Sequence, residues 1–94
     1  MLDFDYNPEK DKLLKETRGI GFDEIIEAIT SGRGLLKNAD HFNKKKYPNQ
    51  RMFIVRVRSY IYVVPYVIDK ERKVTFLKTI YPNRDLTKKY LKNE

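Results

Sequence analysis

The sequence predicts an α+β fold, a small antiparallel sheet of about three to four strands covered by two N-terminal helices and one C-terminal helix. Three observations carry this. Large apolar side chains recur at helical spacing early in the chain, at Phe22, Ile25, Ile26 and Ile29. Strand-forming runs then follow one another across residues 51–81 with short turns between them, the pattern of successive hairpins. A capped basic segment comes after Pro82. The chain has 94 residues, 40% hydrophobic and 35% charged, enough for one core and no second, so residues 1–94 are read as a single domain.

Leu2-Asp3-Phe4-Asp5-Tyr6 alternates apolar and acidic residues, as a short half-exposed strand does. Asn7-Pro8-Glu9 stops it and caps a helix over residues 8–18, with Pro at the first helical position, Glu9 and Asp11 at the positive end of the dipole and Gly19 as the stop. Leu13 and Leu14 are its large apolar residues, so it reads as a thin surface helix. The second helix starts at Phe22 behind Gly21 and fails around Thr30-Ser31-Gly32. Its outer face carries Asp23, Glu24 and Glu27, so the pair is a poor DNA-binding helix-turn-helix, whose groove-entering helix would be acidic.

Residues 34–50 show weak periodicity, and Lys44-Lys45-Lys46-Tyr47-Pro48-Asn49-Gln50 reads as an exposed basic loop with a turn at Pro48-Asn49. Over residues 51–58, Phe53, Val55 and Val57 share one strand face and Arg56 and Arg58 the other. Residues 60–68 are apolar on both faces, which marks a central strand. Pro65 within it removes one ladder donor and predicts a bulge or an unpaired position. After the turn Asp69-Lys70-Glu71-Arg72, residues 73–81 form a third strand, with Val74, Phe76, Lys78 and Ile80 expected on one face and Lys78 an ion among apolar neighbours. Asn83 caps a last helix over residues 84–92, with Lys88, Lys89 and Lys92 toward its end. The predicted order is β-α-α-β-β-β-α.

Charge narrows the function. Residues 1–32 hold four basic and eight acidic side chains, net −4, and residues 33–94 hold sixteen basic and five acidic, net +11. Such a field implies an anionic partner, and nucleic acid, an acidic protein segment and an anionic lipid surface all satisfy it. There is no Cys, which excludes disulfides, thiolate metal sites and Cys nucleophiles. One His, no H-x-x-x-H and a lone Asp3-Phe4-Asp5 argue against a metal site; no cofactor-binding motif is present. Ser31 and Ser59 are the two serines, and no G-x-S-x-G supports a hydrolase triad. The longest apolar run, residues 60–68, falls well short of the roughly 20 residues that span a bilayer, and the Met1-Leu2-Asp3 start has no signal pattern; the expectation is a cytoplasmic protein without a membrane.

What remains is cations interleaved with tyrosines, a surface suited to RNA: cations hold phosphates and tyrosine faces stack on unpaired bases. RNA cleavage needs no metal, since the 2′-hydroxyl can attack the adjacent phosphorus when a side chain takes its proton and cations stabilise the added charge. Arg56, Lys78 and Arg84 are the candidate phosphate and transition-state cations, and Lys78 and Arg84 are expected to share one anion site. Tyr81, Tyr66 and His41 are candidates for proton transfer, and Lys44, Lys45, Arg51 and Lys88 for substrate positioning. The ordinary structural roles stand beside these: Lys44 to Lys46 a solvated loop, Arg56 and Arg58 a wet strand face, Tyr62 or Tyr66 core.

Asp5-Tyr6-Asn7-Pro8-Glu9-Lys10 and Arg18-Gly19-Ile20-Gly21-Phe22-Asp23-Glu24 resemble the opening of BrnT-type toxins, F-x-W-D-x-x-K followed by a K-H-G-V-S-F-E-E-A-like helix start. Thr79-Ile80-Tyr81-Pro82-Asn83-Arg84 resembles that family's R-I-I-S-A-R, with Arg84 in the place of the final Arg. Lys46-Tyr47-Pro48-Asn49-Gln50, Val64-Pro65-Tyr66-Val67, Phe76-Leu77-Lys78-Thr79-Ile80 and Lys88-Lys89-Tyr90 are similar to a BrnT-related group of small bacterial toxins. Thr79 stands where the motif has its first Arg, with Lys78 one position away, and Asn7 and Gly21 replace the usual Asp and Ser. The resemblance implies a RelE-like fold, metal-independent endoribonuclease activity and neutralisation by a cognate antitoxin carrying a ribbon-helix-helix DNA-binding region. Without it, the residues fit equally a non-catalytic nucleic-acid-binding module or a protein-interaction domain using the same basic face.

Overall fold

The helices begin and end at the caps that the sequence places. In the computed structural model, which describes residues 3–91, Asn7 accepts from the backbone N–H of Glu9 and Lys10 and opens α1 (Pro8–Arg18). Gly19 closes α1 at φ +68°, the left-handed conformation that glycine adopts without a Cβ clash. α2 (Phe22–Thr30) follows, and α3 (Arg84–Leu91) starts where the Asn83 carboxamide accepts from Leu86 N–H at 2.9 Å. The expected end of that last helix at Lys92 and the start of the first strand at Leu2 lie outside the described residues.

The α+β architecture holds at this level, and the sheet corrects the finer expectation. It has six strands, β1 (Phe4–Asp5), β2 (Leu35–Asp40), β3 (Arg51–Val57), β4 (Tyr60–Asp69), β5 (Val74–Leu77) and β6 (Tyr81–Pro82), instead of three to four. The element order is therefore β-α-α-β-β-β-β-β-α. The sheet is mixed: β1 pairs parallel with β5, and every other pairing is antiparallel, in the spatial order β1-β5-β4-β3-β2 with β6 also on β4. β4 is central, as its two-sided apolar sequence requires.

Two bulges explain what the alternation rule misreads. In β2, Leu35 faces Val55 and Lys37 faces Ile54, so Leu36 is an extra residue and the period of two is broken in an edge strand that is exposed except at Ala39. On the other side of β4, Leu77 faces Tyr66 and Pro82 faces Tyr62: five steps of chain match four on β4. The strand expected over residues 73–81 is thus divided by a one-residue bulge at 78–80. Pro65 lies opposite it, directing its carbonyl to Lys78 N–H at 2.8 Å, so the ladder donor that proline lacks falls where the ladder is already interrupted. The bulge also takes Ile80 off the face expected for it: Val74, Phe76 and Lys78 share one face, the first two half-buried and Lys78 exposed with its Nζ 5.5 Å from the Phe76 ring centre, whereas Ile80 is buried with Thr75 and Leu77.

One face of the sheet, through Phe53, Val55, Val64, Tyr66 and Leu77, packs on Leu14, Ile20, Phe22, Ile25 and Ile29 of the α1–α2 layer. The opposite face buries Met52, Ile54, Ile61 and Val63. α3 packs against β4 without joining the first-face cluster. Among the described residues no helix is long and apolar enough to cross a membrane. At the sheet margin, Arg72 donates to Asp5 and to Asp69 at 2.8 and 2.9 Å, tying β1 to the β4–β5 turn. These bonds hold both carboxyls below the ordinary aspartate range: for Asp5 chiefly the Arg72 side chain, for Asp69 first the Arg72 backbone N–H and then its guanidinium.

Gly34 joins α2 to the sheet. Its N–H donates to Ala28 O at 3.1 Å and its carbonyl accepts from Arg56 N–H at 2.7 Å. A Cβ here would lie 2.6 Å from both Ala28 Cβ and Arg56 O. Gly34→Ala therefore forces the helix away from β3, with an expected loss of about 1–3 kcal/mol in urea unfolding. An unchanged midpoint would mean that the two elements separate at no cost.

Candidate anion-binding edge

The edge begins at the bulge. Arg18, at the end of α1, donates through Nη1 to Ile80 O and pins the irregular backbone. Below it, Asn83 N–H donates to Ile61 O at 3.0 Å, and Thr87 Oγ1 accepts from Ile61 N–H at 3.0 Å while donating to Asn83 O at 2.8 Å. The central strand thereby fixes the position of the first turn of α3, and with it Arg84 and Lys88, which are one helical turn apart on one side of α3.

The ladders place the candidate cations in rows. Lys78 is opposite Pro65, which faces Met52, and Tyr81 is opposite Val63. Asn83 is opposite Ile61, which faces Arg56. Alternation along β4 then puts Lys78, Tyr81 and Arg56 on the sheet face away from α1 and α2. Lys78 and Asn83 are four residues of β4 apart in register, roughly 13 Å at the rise of a strand. Arg56 stands two strands from Asn83, about 10 Å across the sheet. Lys78 and Arg84 thus follow one another along one edge of the sheet. Tyr81 is half-buried, and burial pushes its phenol above the ordinary tyrosine value, so it keeps its proton at neutral pH.

The remaining candidates are elsewhere. Tyr66 is a core residue, 4% exposed, stacked on Phe53 at 4.0 Å and donating its hydroxyl to Asn38 Oδ1 at 2.6 Å, which takes it out of proton transfer. His41 opens the loop 41–50, beside the start of β3. Its Nδ1 accepts from Asn43 N–H at 2.9 Å and its ring packs on Tyr47 at 4.6 Å. Arg51 and Lys44 sit at that end too, both bound to Asp40, and Lys45 is exposed in the same loop. Arg51 and Arg56 are five residues apart on one strand, roughly 17 Å, so the loop of His41 is far from Arg56 and the Asn83 row, whereas Lys78, opposite Pro65 and Met52, lies toward the Arg51 end of the sheet.

Ion pairing separates the two groups further. Lys15 pairs with Asp11 and Asp23, Arg58 with Glu24, and Arg72 with Asp5 and Asp69. Lys78, Arg84 and Lys88 are exposed, and among the described residues none of them has a carboxylate within ion-pair distance. Arg56 lines a groove of about 450 Å³ with Glu24, Glu27, Arg33 and Arg58, and its Nε donates to Arg58 O at 3.3 Å. Sequence reading passes over Arg18 and Thr87, which build the edge; their partners are 62 and 26 residues away, and no local pattern announces either. Among the described residues no group of three or more His, Cys, Asp or Glu side chains is placed to hold a metal ion. The chain matches no protein-family model, no curated protein sequence and no solved structure.

Proposed function

We propose that this protein is a metal-independent endoribonuclease toxin of a type II toxin–antitoxin pair, acting on RNA in the cytoplasm through the Lys78–Tyr81–Arg84–Lys88 edge. The observation that carries the reading is the row of exposed cations at positions 78, 84 and 88, which have no carboxylate partner among the described residues. The BrnT-like motifs supply the toxin class: Arg84 stands in the place of their final Arg, and Lys78 is one position from their first, where this chain has Thr79.

In the proposed reaction the RNA backbone lies along the edge, with the reacting phosphate between Lys78 and Arg84. The 2′-hydroxyl attacks its neighbouring phosphorus and gives its proton to water. The bond from phosphorus to the 5′-oxygen breaks, leaving a 2′,3′-cyclic phosphate. The protonated Tyr81 supplies the proton that the departing oxygen needs and recovers it from solvent. Lys78, Arg84 and Arg56 act on the phosphorane charge, where fixed cations have their largest effect. The antitoxin, with its ribbon-helix-helix region on DNA, covers this edge with an acidic segment and leaves the acidic outer face of α2 uncovered.

The separation of His41 from Arg56 and Arg84, at the opposite end of β3, favours a second reading, a module that binds RNA on this edge without cutting it. Binding and cleavage of a fluorescent single-stranded RNA by purified protein in excess EDTA distinguish the two. Affinity is expected to fall with salt at a logarithmic slope of roughly −2 for three phosphates on a single strand. Cleavage should persist in EDTA. Binding without cleavage selects the second reading, and a salt-independent affinity or no binding in low salt removes RNA altogether.

A further inference from the structure

The loop 41–50 is built to present one aromatic ring. Its backbone is fastened at several points: His41 N–H to Gln50 O, Tyr47 N–H to Asn43 O, Gln50 N–H to Tyr47 O, Asn43 N–H to His41 Nδ1 and Lys46 N–H to Asn43 Oδ1. Two rings are used internally, His41 against Tyr47, with Lys46 Nζ 5.3 Å above the Tyr47 centroid. Phe42 is left outside this packing. It is 62% exposed, the most exposed large hydrophobic side chain among the described residues, and it has no ring partner among them.

An exposed phenylalanine keeps apolar surface in water that folding would otherwise bury, and a loop fixed by this many bonds does not leave it there through slackness. Its surroundings indicate the chemistry of the ligand. Lys45 and Lys46 are exposed, without a carboxylate partner among the described residues. Asn49 of the same loop borders a groove of about 420 Å³ lined also by Arg51, Lys70 and the exposed Ile68. A flat apolar ring on the same short loop as exposed cations matches an unpaired nucleobase with its phosphates, since base stacking supplies the apolar contact and ammonium groups the ionic one.

We infer that Phe42 is a base-stacking platform for single-stranded nucleic acid, with Lys45 and Lys46 on the flanking phosphates. The site is separate from the edge of Lys78 and Arg84 and, resting on the RNA reading proposed above, it would hold the same strand a few nucleotides from the cleaved bond. It selects single strands, because the bases of a duplex keep their faces stacked on one another.

The test compares wild type, Phe42→Ala, Phe42→Trp and Arg84→Ala for binding to short oligouridine and to an abasic strand with the same number of phosphates. Phe42→Ala is expected to weaken oligouridine binding roughly tenfold and to leave abasic binding unchanged. Phe42→Trp should keep the affinity and show fluorescence quenching on addition of oligouridine. Equal binding of both strands by wild type and Phe42→Ala, with Arg84→Ala still weakened, overturns this inference and leaves the RNA reading standing. Failure of wild type to bind either strand overturns both. Phe42-dependent retention on phosphatidylserine vesicles, without discrimination between intact and abasic strands, would assign the loop to a membrane surface and overturn the stacking role.

Discussion

Arg84→Ala is expected to lower RNA cleavage by roughly a hundredfold or more, the usual consequence of removing one group that stabilises transition-state charge, and to relieve growth arrest when the chain is expressed alone. Stability should not follow activity. Arg84 is exposed and is the first residue of α3, where the positive end of the helix dipole meets its guanidinium. Removing a cation from that end is locally neutral or favourable by about 0.3–1 kcal/mol, so the thermal midpoint should hold or rise slightly. Lys78→Ala, on the bulge side of the same edge, should act in the same direction. Arg84→Lys separates the forms of contact: a phosphate held by two parallel N–H donors loses one of them, whereas a simple point charge is retained. Full activity in Arg84→Lys would establish a point charge. A fall in thermal midpoint together with activity in Arg84→Ala would mean that the residue holds the fold, and the edge would lose its role as the site.

The largest effect on folding is expected at Phe22. This side chain is fully buried, stacks on Tyr6 with ring centres 4.9 Å apart and planes 24° apart, and sits where α2 begins. Its N–H donates at 2.7 Å to Asp11 of α1, so one residue joins the two helices and, through Tyr6, the segment leading from β1. Phe22→Ala leaves a cavity that this arrangement cannot easily close, and about 3–5 kcal/mol should be lost. Against a stability of order 5–15 kcal/mol for a domain, that is a substantial share. Urea unfolding followed by circular dichroism measures it. A loss below about 1 kcal/mol would show that the α1–α2 layer lies loosely on the sheet.

Local chemistry was readable where it acts on neighbours. Asn7, Gly19 and Asn83 are caps because their preferences concern groups two to four residues away, and the bounds of α1 and the start of α3 follow from them. β4 is legible as central because both its faces are apolar. β2 is not, since an exposed edge strand has no buried face to impose a period, and the extra residue Leu36 breaks what alternation there is. Residues 73–81 show the same limit: the strand is present with Val74, Phe76 and Lys78 on one face, but the bulge after Lys78 turns Ile80 to the other face and into the core. For the site, the charge map identified the basic half of the chain but carried no distances. Register is what puts Lys78, Tyr81 and Arg56 on one face, with Lys78 toward the Arg51 and His41 end of β3 and Arg56 at the far end. Tyr66 shows why residue type alone overreaches, since a tyrosine hydroxyl satisfied by Asn38 serves the core.

The parallel pairing of β1 with β5 has a consequence for the order in which the molecule assembles. Phe4 pairs with Thr75 and Asp5 with Phe76, joining segments about as far apart in sequence as any two that the fold brings together. β2, β3, β4 and β5 by contrast are successive antiparallel neighbours that can close one hairpin at a time. Closing the large loop costs entropy before any contact rewards it, so docking of β1 belongs to the late, slow part of folding. A growing chain cannot complete the sheet until Val74–Leu77 have been synthesised. Until then Phe4 and Tyr6 have no finished sheet margin to pack against, and an RNA-cutting edge built from residues still later in the chain does not exist. If the chain is the toxin proposed above, this order leaves its whole period of synthesis free of activity.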